Sequence, residues 1–198
     1  MIALTKNLVE EVDGTVVKKD YQELTLEVGH SIKRLRVTLV YHIKSGVVRL
    51  QTKSEERILA YMTGYFQVPH DELEIVAQTE AVISWHYLED FSDHGVLRQE
   101  VMDGLRQQSC WQIRHIECLH GTSEERVHSL LSYLGERFGS LGVDGFYRIP
   151  WPVTHRQIAN TLSTTRVTIT RSMQKLKETG AILVSDANEI TVKKLCPV

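Results

Sequence analysis

Residues Thr154–Gly180, THRQIANTLSTTRVTITRSMQKLKETG, decide how this chain is read. Two apolar stripes of helical period are separated by a polar break at Ser163-Thr164. In the first, Ile158, Ala159 and Leu162 share a face, and Ala159 is small enough to let a second helix cross closely. After the break, the Thr165 hydroxyl is placed to cap a second helix. Val167, Ile169, Met173 and Leu176 supply its apolar contacts until Gly180 gives a C-terminal stop. The stretch predicts a helix-turn-helix. Arg166, Thr168, Thr170 and Arg171 crowd the start of the second helix, where such a motif presents side chains to base edges in the major groove. The segment from Thr154 to Lys177 also carries His155, Arg156, Lys175 and Lys177 and has no acidic residue, in a chain whose formal net charge is −2. A nucleic-acid surface is therefore expected to be local to this segment.

The flanks extend the pattern. Downstream, Ala181–Ser185 and Glu189–Lys193 read as strands around the turn Asp186-Ala187-Asn188, a hairpin in the position of a wing. Upstream, Gly139–Gly145 reads as a flexible loop and Tyr147-Arg148-Ile149 as a short strand, and the two prolines flanking Trp151 stiffen the entry to the helix-turn-helix. Thr122 or Ser123, followed by Glu124-Glu125, marks the start of another helix. Its apolar face is Val127, Leu130, Leu131, Leu134 and Phe138.

No proline interrupts Ser92–Cys118, where Leu97, Val101, Leu105, Ile113, Ile116 and Leu119 fall near helical spacing until His120-Gly121 ends the run. Gln107, Gln108, Ser109 and Gln112 break the stripe in its middle. A helix this long needs a partner along its stripe. Either it packs on its own β domain, or it pairs with the same helix of a second subunit, the polar interruption setting register.

From Met1 to about Phe91 the chain is strand-like. Thr15-Val16-Val17, Glu23–Val28 and Arg34–Ile43 are followed by a turn at Lys44-Ser45-Gly46 and a strand at Val47–Gln51. Thr52–Arg57 is a charged hairpin tip, Ile58–Tyr61 returns, and Met62-Thr63-Gly64 turns the chain toward Tyr65–Val68. Glu74–Gln78 and Ala81–His86 complete a set that predicts an all-β roll or barrel.

A length of 198 residues with 42% hydrophobic content suits one large or two small domains with a real core. No run of 18 apolar residues and no signal-peptide pattern is present, which predicts a cytoplasmic protein with no membrane partner. Cys110, Cys118 and Cys196 are an odd count without metal-ligand spacing, and read as ordinary reduced thiols. Cys110 and Cys118 leave a redox pair open as the alternative. The nine histidines form no ligand set: His115 and His120 lie on or just after a helix, and His128 is exposed by period. Trp85, Trp111 and Trp151 read as core or interface anchors. With no catalytic triad and no metal box, the sequence predicts neither catalysis nor a cofactor.

The order of parts resembles the Crp/Fnr family of bacterial transcription regulators. The resemblance covers nearly the whole chain. It is strongest in TSEERVHSLLSYLGERFG (122–139) and HRQIANTLSTTRVTITRSMQKLKETGAI (155–182), and visible in LVYHIKSGVVRLQTKSEERILAYMTGYF (39–66). Within the family, TRVTITR is most similar to the cyanobacterial nitrogen-control regulators. The implied fold is α+β, with an N-terminal β-roll, or double-stranded β-helix, of the cyclic-nucleotide-binding type over 1–91. A dimerisation helix over 92–120 and a winged helix-turn-helix over 121–198 follow. The implied function is sequence-specific transcription regulation by a homodimer on near-palindromic double-stranded DNA, with RNA polymerase as a further partner.

Carried over by position, Arg166, Val167 and Arg171 fall where the family reads bases. Val167 stands where the cAMP receptor protein has a glutamate, so it meets a thymine methyl where a carboxylate would accept from cytosine N4. His155, Thr165 and Thr168 match positions that contact or orient phosphate, with Arg156 as a neighbour. The dimerisation set is Leu97, Val101, Leu105, Gln108, Gln112, Ile116 and Leu119. The departure is in the roll. Cyclic-nucleotide-binding members carry a Gly-Glu pair and then an Arg-Ser/Thr-Ala run, whereas Gly64-Tyr65-Phe66 here leads to Gln67–Glu72, and no arginine lies between Arg57 and Arg98. A cyclic phosphate needs a cation or a nest of N–H groups, which argues against cAMP. The chain as given also starts without the usual N-terminal helix. The nitrogen-control likeness implies a small acid such as 2-oxoglutarate, with no residues assigned to it. The competing reading is a cupin-like roll that senses a metabolite or metal, its helix-turn-helix serving protein contacts; against it, His30, His42, His70 and His86 are scattered.

Overall fold

The computed structural model describes residues 10–12, 15–17, 23–33, 39–68, 70–87, 95–185 and 188–193. It separates into two compact units, Met1–Trp111 and Gln112–Val198.

The first unit is an antiparallel sheet of β1 (Glu10–Val12), β2 (Thr15–Val17), β3 (Glu23–Leu26), β4 (Ser31–Ile32), β5 (Leu39–Thr52), β6 (Ile58–Gln67), β7 (Leu73–Ala77) and β8 (Ala81–Tyr87). Their order is β2-β1-β4-β7-β5-β8-β3, with β6 on β5. Two expected turns are absent. Lys44-Ser45-Gly46 lies within the 14-residue β5, and Met62-Thr63-Gly64 within the 10-residue β6. Instead of reversing the chain, Gly46 takes a left-handed conformation (φ 82°) where the β5–β6 register shifts between Ile43 and Val48. Extra residues of this kind bend a strand and leave it paired on both sides of the irregularity. A Cβ at Gly46 would fall 2.1 Å from the Glu80 carbonyl oxygen, so a larger residue would have to displace the β7–β8 connection.

The bend changes the neighbour of β5. Leu39–Ser45 pair with β8, Val48–Thr52 pair with β7, and β6 follows the other edge. One bent strand shared by three others curls the sheet into a roll. Its core includes Leu26, Ile32, Val40, Leu50, Phe66, Ile75 and Ile83. Glu74 is buried among apolar neighbours in β7, and it accepts from Gln51 Nε2 at 2.8 Å. Arg49 donates to Gln51 Oε1 at 2.7 Å and to Gln78 Oε1 at 3.0 Å, so the buried polar groups satisfy one another. The start of the strand expected at Arg34–Ile43 lies partly outside the described residues, and the strand expected at Glu23–Val28 ends at Leu26.

Helix α1 (Gly95–Cys118) leaves the roll. Of the two readings for its stripe, the structure uses the first part on its own sheet. Val101 and Leu105 pack on Val40 and Tyr65. Gly104 backs so closely onto β6 that a Cβ would lie 2.4 Å from the Tyr65 carbonyl oxygen. Gln108 binds the Gln67 backbone in both directions, accepting from its N–H at 3.2 Å and donating to its carbonyl at 2.6 Å. Val101, Leu105 and Gln108, expected at a subunit seam, are thus engaged within the chain. The side chain of Leu97 lies outside the described residues. Met102, Gln112, Ile113, Ile116 and Leu119 are exposed.

The second unit contains α2 (Ser123–Phe138), β9 (Ser140–Leu141), β10 (Phe146–Arg148), α3 (His155–Thr161), α4 (Arg166–Glu178), β11 (Ile182–Val184) and β12 (Ile190–Lys193). Thr122 and Glu125 close a capping box at the start of α2. The expected loop Gly139–Gly145 instead holds β9 and a tight turn. Gly142 N–H donates to the Phe146 carbonyl at 2.8 Å, and Asp144 Oδ1 accepts from Phe146 N–H at 3.2 Å. The wing is likewise more than a hairpin, since β12 pairs with β10 as well as β11, giving the order β11-β12-β10-β9. Asp186 and Ala187 of its turn lie outside the described residues. Val127, Leu130, Leu131 and Leu134 of α2, Ile158 of α3, Ile169 of α4, and Ile182 and Val192 form the core.

Cys118 is buried with Sγ 3.3 Å from Ser129 Oγ, and burial raises its thiol pKa. Cys110 is exposed on the same helix. Eight residues along a helix is about 12 Å, beyond disulfide reach within one chain. His128, expected to be exposed, is half-buried, and its lowered pKa follows from burial. Among the described residues no helix is long and apolar enough to cross a membrane.

Candidate nucleic-acid interface

The helix-turn-helix is fixed at both helix starts by threonine. Thr154 Oγ1 accepts from Gln157 N–H at 3.1 Å while Gln157 Oε1 accepts from Thr154 N–H at 2.9 Å, a reciprocal cap on α3. Thr165 Oγ1 accepts from Thr168 N–H at 3.2 Å at the start of α4, and the two hydroxyls lie 2.9 Å apart. The hydroxyls of Thr165 and Thr168 therefore already serve the cap.

Between the helices Ser163 takes a left-handed conformation (φ 50°), and Thr164 N–H donates to the Ala159 carbonyl at 3.0 Å. A Cβ in this region costs of order 1 kcal/mol, so Ser163→Gly is expected to raise stability by up to about 1 kcal/mol, less the entropy glycine gains when unfolded. Chemical denaturation of the purified chain measures it. From α2, the Arg126 guanidinium donates to the Leu162 carbonyl in the turn, and Glu124 Oε1 meets Lys175 Nζ at 2.7 Å. The Lys175 contact holds the Glu124 carboxyl below its ordinary range. Neither α2 residue was legible as a support for the motif. The acidic pair reads simply as a helix start, and only the folded chain brings it to α4.

Ile169, Met173 and Leu176 pack inward as expected, but Val167 is 61% exposed. The spacing explains this: Ile169, Met173 and Leu176 are at i, i+4 and i+7, while Val167, two residues before Ile169, points to the other side. Arg166, Val167, Thr170 and Arg171 are exposed together, as is Arg156 on α3. Thr170 is not free for bases in the way its position suggested. Its hydroxyl lies 3.0 Å from His155 Nδ1 and donates to the Arg166 carbonyl at 3.0 Å. Burial, and then the charges of Lys177 and Arg166, lower the His155 pKa. A cleft of about 580 Å³ has His155, Arg166 and Lys177 around an apolar floor of Val153, Met173 and Ile190.

In the roll, Gly64–Gln67 belong to β6, and only Val68–Glu72 connect it to β7. His42 stacks on Tyr65 with ring centroids 3.9 Å apart and planes 12° apart. Among the described residues no three His, Cys, Asp or Glu side chains gather in a metal-binding arrangement.

Residues 125–196 match the Crp-like helix-turn-helix domain family. Over 165 residues the chain is 30% identical to the Regulatory protein CysR of Synechococcus elongatus, an alignment covering 73% of this chain and 71% of that protein. Among solved structures, TTHB099, a CRP-family transcriptional regulator of Thermus thermophilus, superposes with a TM-score of 0.67 at 20% identity, covering 87% of this chain and 92% of that one. FixK2 of Bradyrhizobium japonicum gives 0.64 at 21% identity, covering 89% and 98%. A CooA variant of Carboxydothermus hydrogenoformans gives 0.69 at 19% identity, covering 87% and 83%. These structural likenesses establish the fold, and the sequence match carries the kinship. A β-roll, a long helix and a winged helix-turn-helix with an exposed basic face, joined to that match, place the chain in the Crp/Fnr family of DNA-binding transcription regulators.

Proposed function

We propose that the chain acts as a homodimer on a near-palindromic operator, with α4 in the major groove. The observation that carries this reading is the joint exposure of Arg166, Val167 and Arg171 on one helix. Arg166 and Arg171 suit bidentate contact with guanine O6 and N7, and Val167 suits a thymine methyl. His155, Arg156, Thr165 and Thr168 are assigned to the phosphate backbone, where contacts fix register and give salt-dependent affinity without choosing sequence. Electrophoretic mobility shift over a range of salt concentrations tests this. A log–log salt slope near zero, or equal affinity for all sequences, would sink it.

The dimer seam is assigned to the exposed part of α1. Met102, Ser109, Gln112 and Ile116 of α1, with Leu119 just past its end, are exposed at seven-residue spacing, and the polar pair Ser109 and Gln112 suits register selection. Ile116→Asp is expected to shift the chain to a monomer in sedimentation velocity and to weaken operator binding by about tenfold or more, because the two half-sites lose their linkage. The division assigned is a roll over 1–91, a dimerisation helix over 92–120 and a winged helix-turn-helix over 121–198. Control by cAMP is not part of the reading, because no arginine lies between Arg57 and Arg98. The protein is assigned to the cytoplasm, to RNA polymerase as a partner, and to no catalysis.

A further inference from the structure

The Thr170 hydroxyl lies between two partners. Its oxygen is 3.0 Å from the Arg166 carbonyl oxygen one turn back in α4, and 3.0 Å from His155 Nδ1. A threonine hydroxyl has one hydrogen, and a carbonyl only accepts. That hydrogen goes to Arg166, which leaves the Thr170 oxygen to accept from His155. Nδ1 therefore carries the ring hydrogen. In the neutral imidazole the other nitrogen, Nε2, then presents a bare lone pair. Nε2 has no hydrogen-bond partner among the described residues.

We propose that Thr170 is a positioning residue for DNA binding: by holding His155 as the Nδ1–H tautomer, it opens the phosphate contact at Nε2 to the imidazolium alone, so that each subunit takes up one proton on closing over DNA. This rests on the assignment of His155 to a phosphate. A phosphate oxygen facing the neutral ring would meet lone pair with lone pair. Protonation turns Nε2 into a charge-assisted donor instead. The groups that face the ring are Arg166 and Lys177 of α4 and, beside it on α3, Arg156, and the described lining of the cleft has no carboxylate. In the free chain burial and the cations of α4 favour the neutral ring. In the complex the phosphate supplies the missing anion and favours the charged one. The ring's pKa is thus low when free and raised when bound. Affinity rises as pH falls through the window between the two, by at most about tenfold per pH unit for each ring that takes up a proton.

The test uses the full chain and a duplex selected by it from random sequence, with fluorescence anisotropy at constant ionic strength from about pH 6 to about pH 8, the range in which histidine titrates. The wild type is expected to bind severalfold more tightly at the acidic end. His155→Gln, whose amide donates without a charge, is expected to be flat across the range. Thr170→Val frees the tautomer and reduces the pH dependence, and Thr170→Ser restores it. Nitrogen-15 shifts of the imidazole in the free chain report the Nδ1–H tautomer directly, and they are expected to move toward the other tautomer in Thr170→Val. A flat wild type, or a pH dependence that survives in His155→Gln, overturns the proposal. If His155→Ala costs no affinity at any pH, the phosphate assignment fails with it. If that variant loses affinity equally at every pH, the proton uptake fails and the phosphate assignment stands.

Discussion

Replacing Arg166 or Arg171 with alanine is expected to weaken operator binding by roughly 1–3 kcal/mol for each residue, and to relax the preference at one base pair per half-site, the behaviour of bidentate readers. The two residues lie five apart on α4, about 7.5 Å along its axis, so in the proposed complex they would address different steps of one groove. Both are exposed, and the inward faces of the same helix, at Ile169 and Met173, are closed by packing. Removing either guanidinium therefore changes the interface while leaving the core intact. Anisotropy against a panel of single-base operator variants separates the two roles an arginine can take there. Loss confined to one base pair marks a reader. Loss spread evenly over all sequences, with a salt slope reduced by about one, marks a phosphate contact.

Trp111→Ala is expected to destabilise the roll by about 3–5 kcal/mol, the range for emptying a large aromatic site. Trp111 is 2% exposed. Its ring meets Tyr61 edge-on at 6.2 Å and 88°, and its indole N–H donates to the Leu59 carbonyl. The alanine variant loses the buried ring, the aromatic contact and the hydrogen bond together, all at the point where α1 is tied to β6. Trp111→Phe keeps most of the bulk and strands the Leu59 carbonyl, so a smaller loss of about 1–3 kcal/mol is expected. Urea denaturation of both variants, followed by near-ultraviolet circular dichroism, measures the difference.

The helix-turn-helix was the most legible part of the chain because its signals are local. Thr165, the break at Ser163-Thr164 and the stop at Gly180 act on their immediate neighbours. The roll was legible as a set of strands, but its turns were not. Gly46 and Gly64 follow short polar residues in the manner of hairpin turns, and only pairing with distant strands decides that the chain continues through them. Helix α1 shows the same division. Its stripe was readable from period, but which residues face the sheet depends on Gly104 and Gln108 meeting Tyr65 and Gln67, partners some forty residues away. Arg166, Val167 and Arg171, proposed as base readers from their position, are exposed on α4. The link between Thr170 and His155 was hidden, because it joins two helices through one hydroxyl.

The bend in β5 also bears on how fast the molecule forms. A strand that pairs Leu39 with Tyr87 at one end and Thr52 with Leu73 at the other cannot complete its bonds until most of the roll's sequence has been gathered around it. Such non-local pairing carries a loop-closure cost before it returns any contact, and places all-β structures in the millisecond-to-second range, whereas short helices form in about a microsecond. The roll is therefore expected to be the slow-folding unit of the chain. During that interval the edges of β5 are open to other chains, so a residue larger than glycine at position 46, which would press on the β7–β8 connection, is expected to lower the yield of soluble protein.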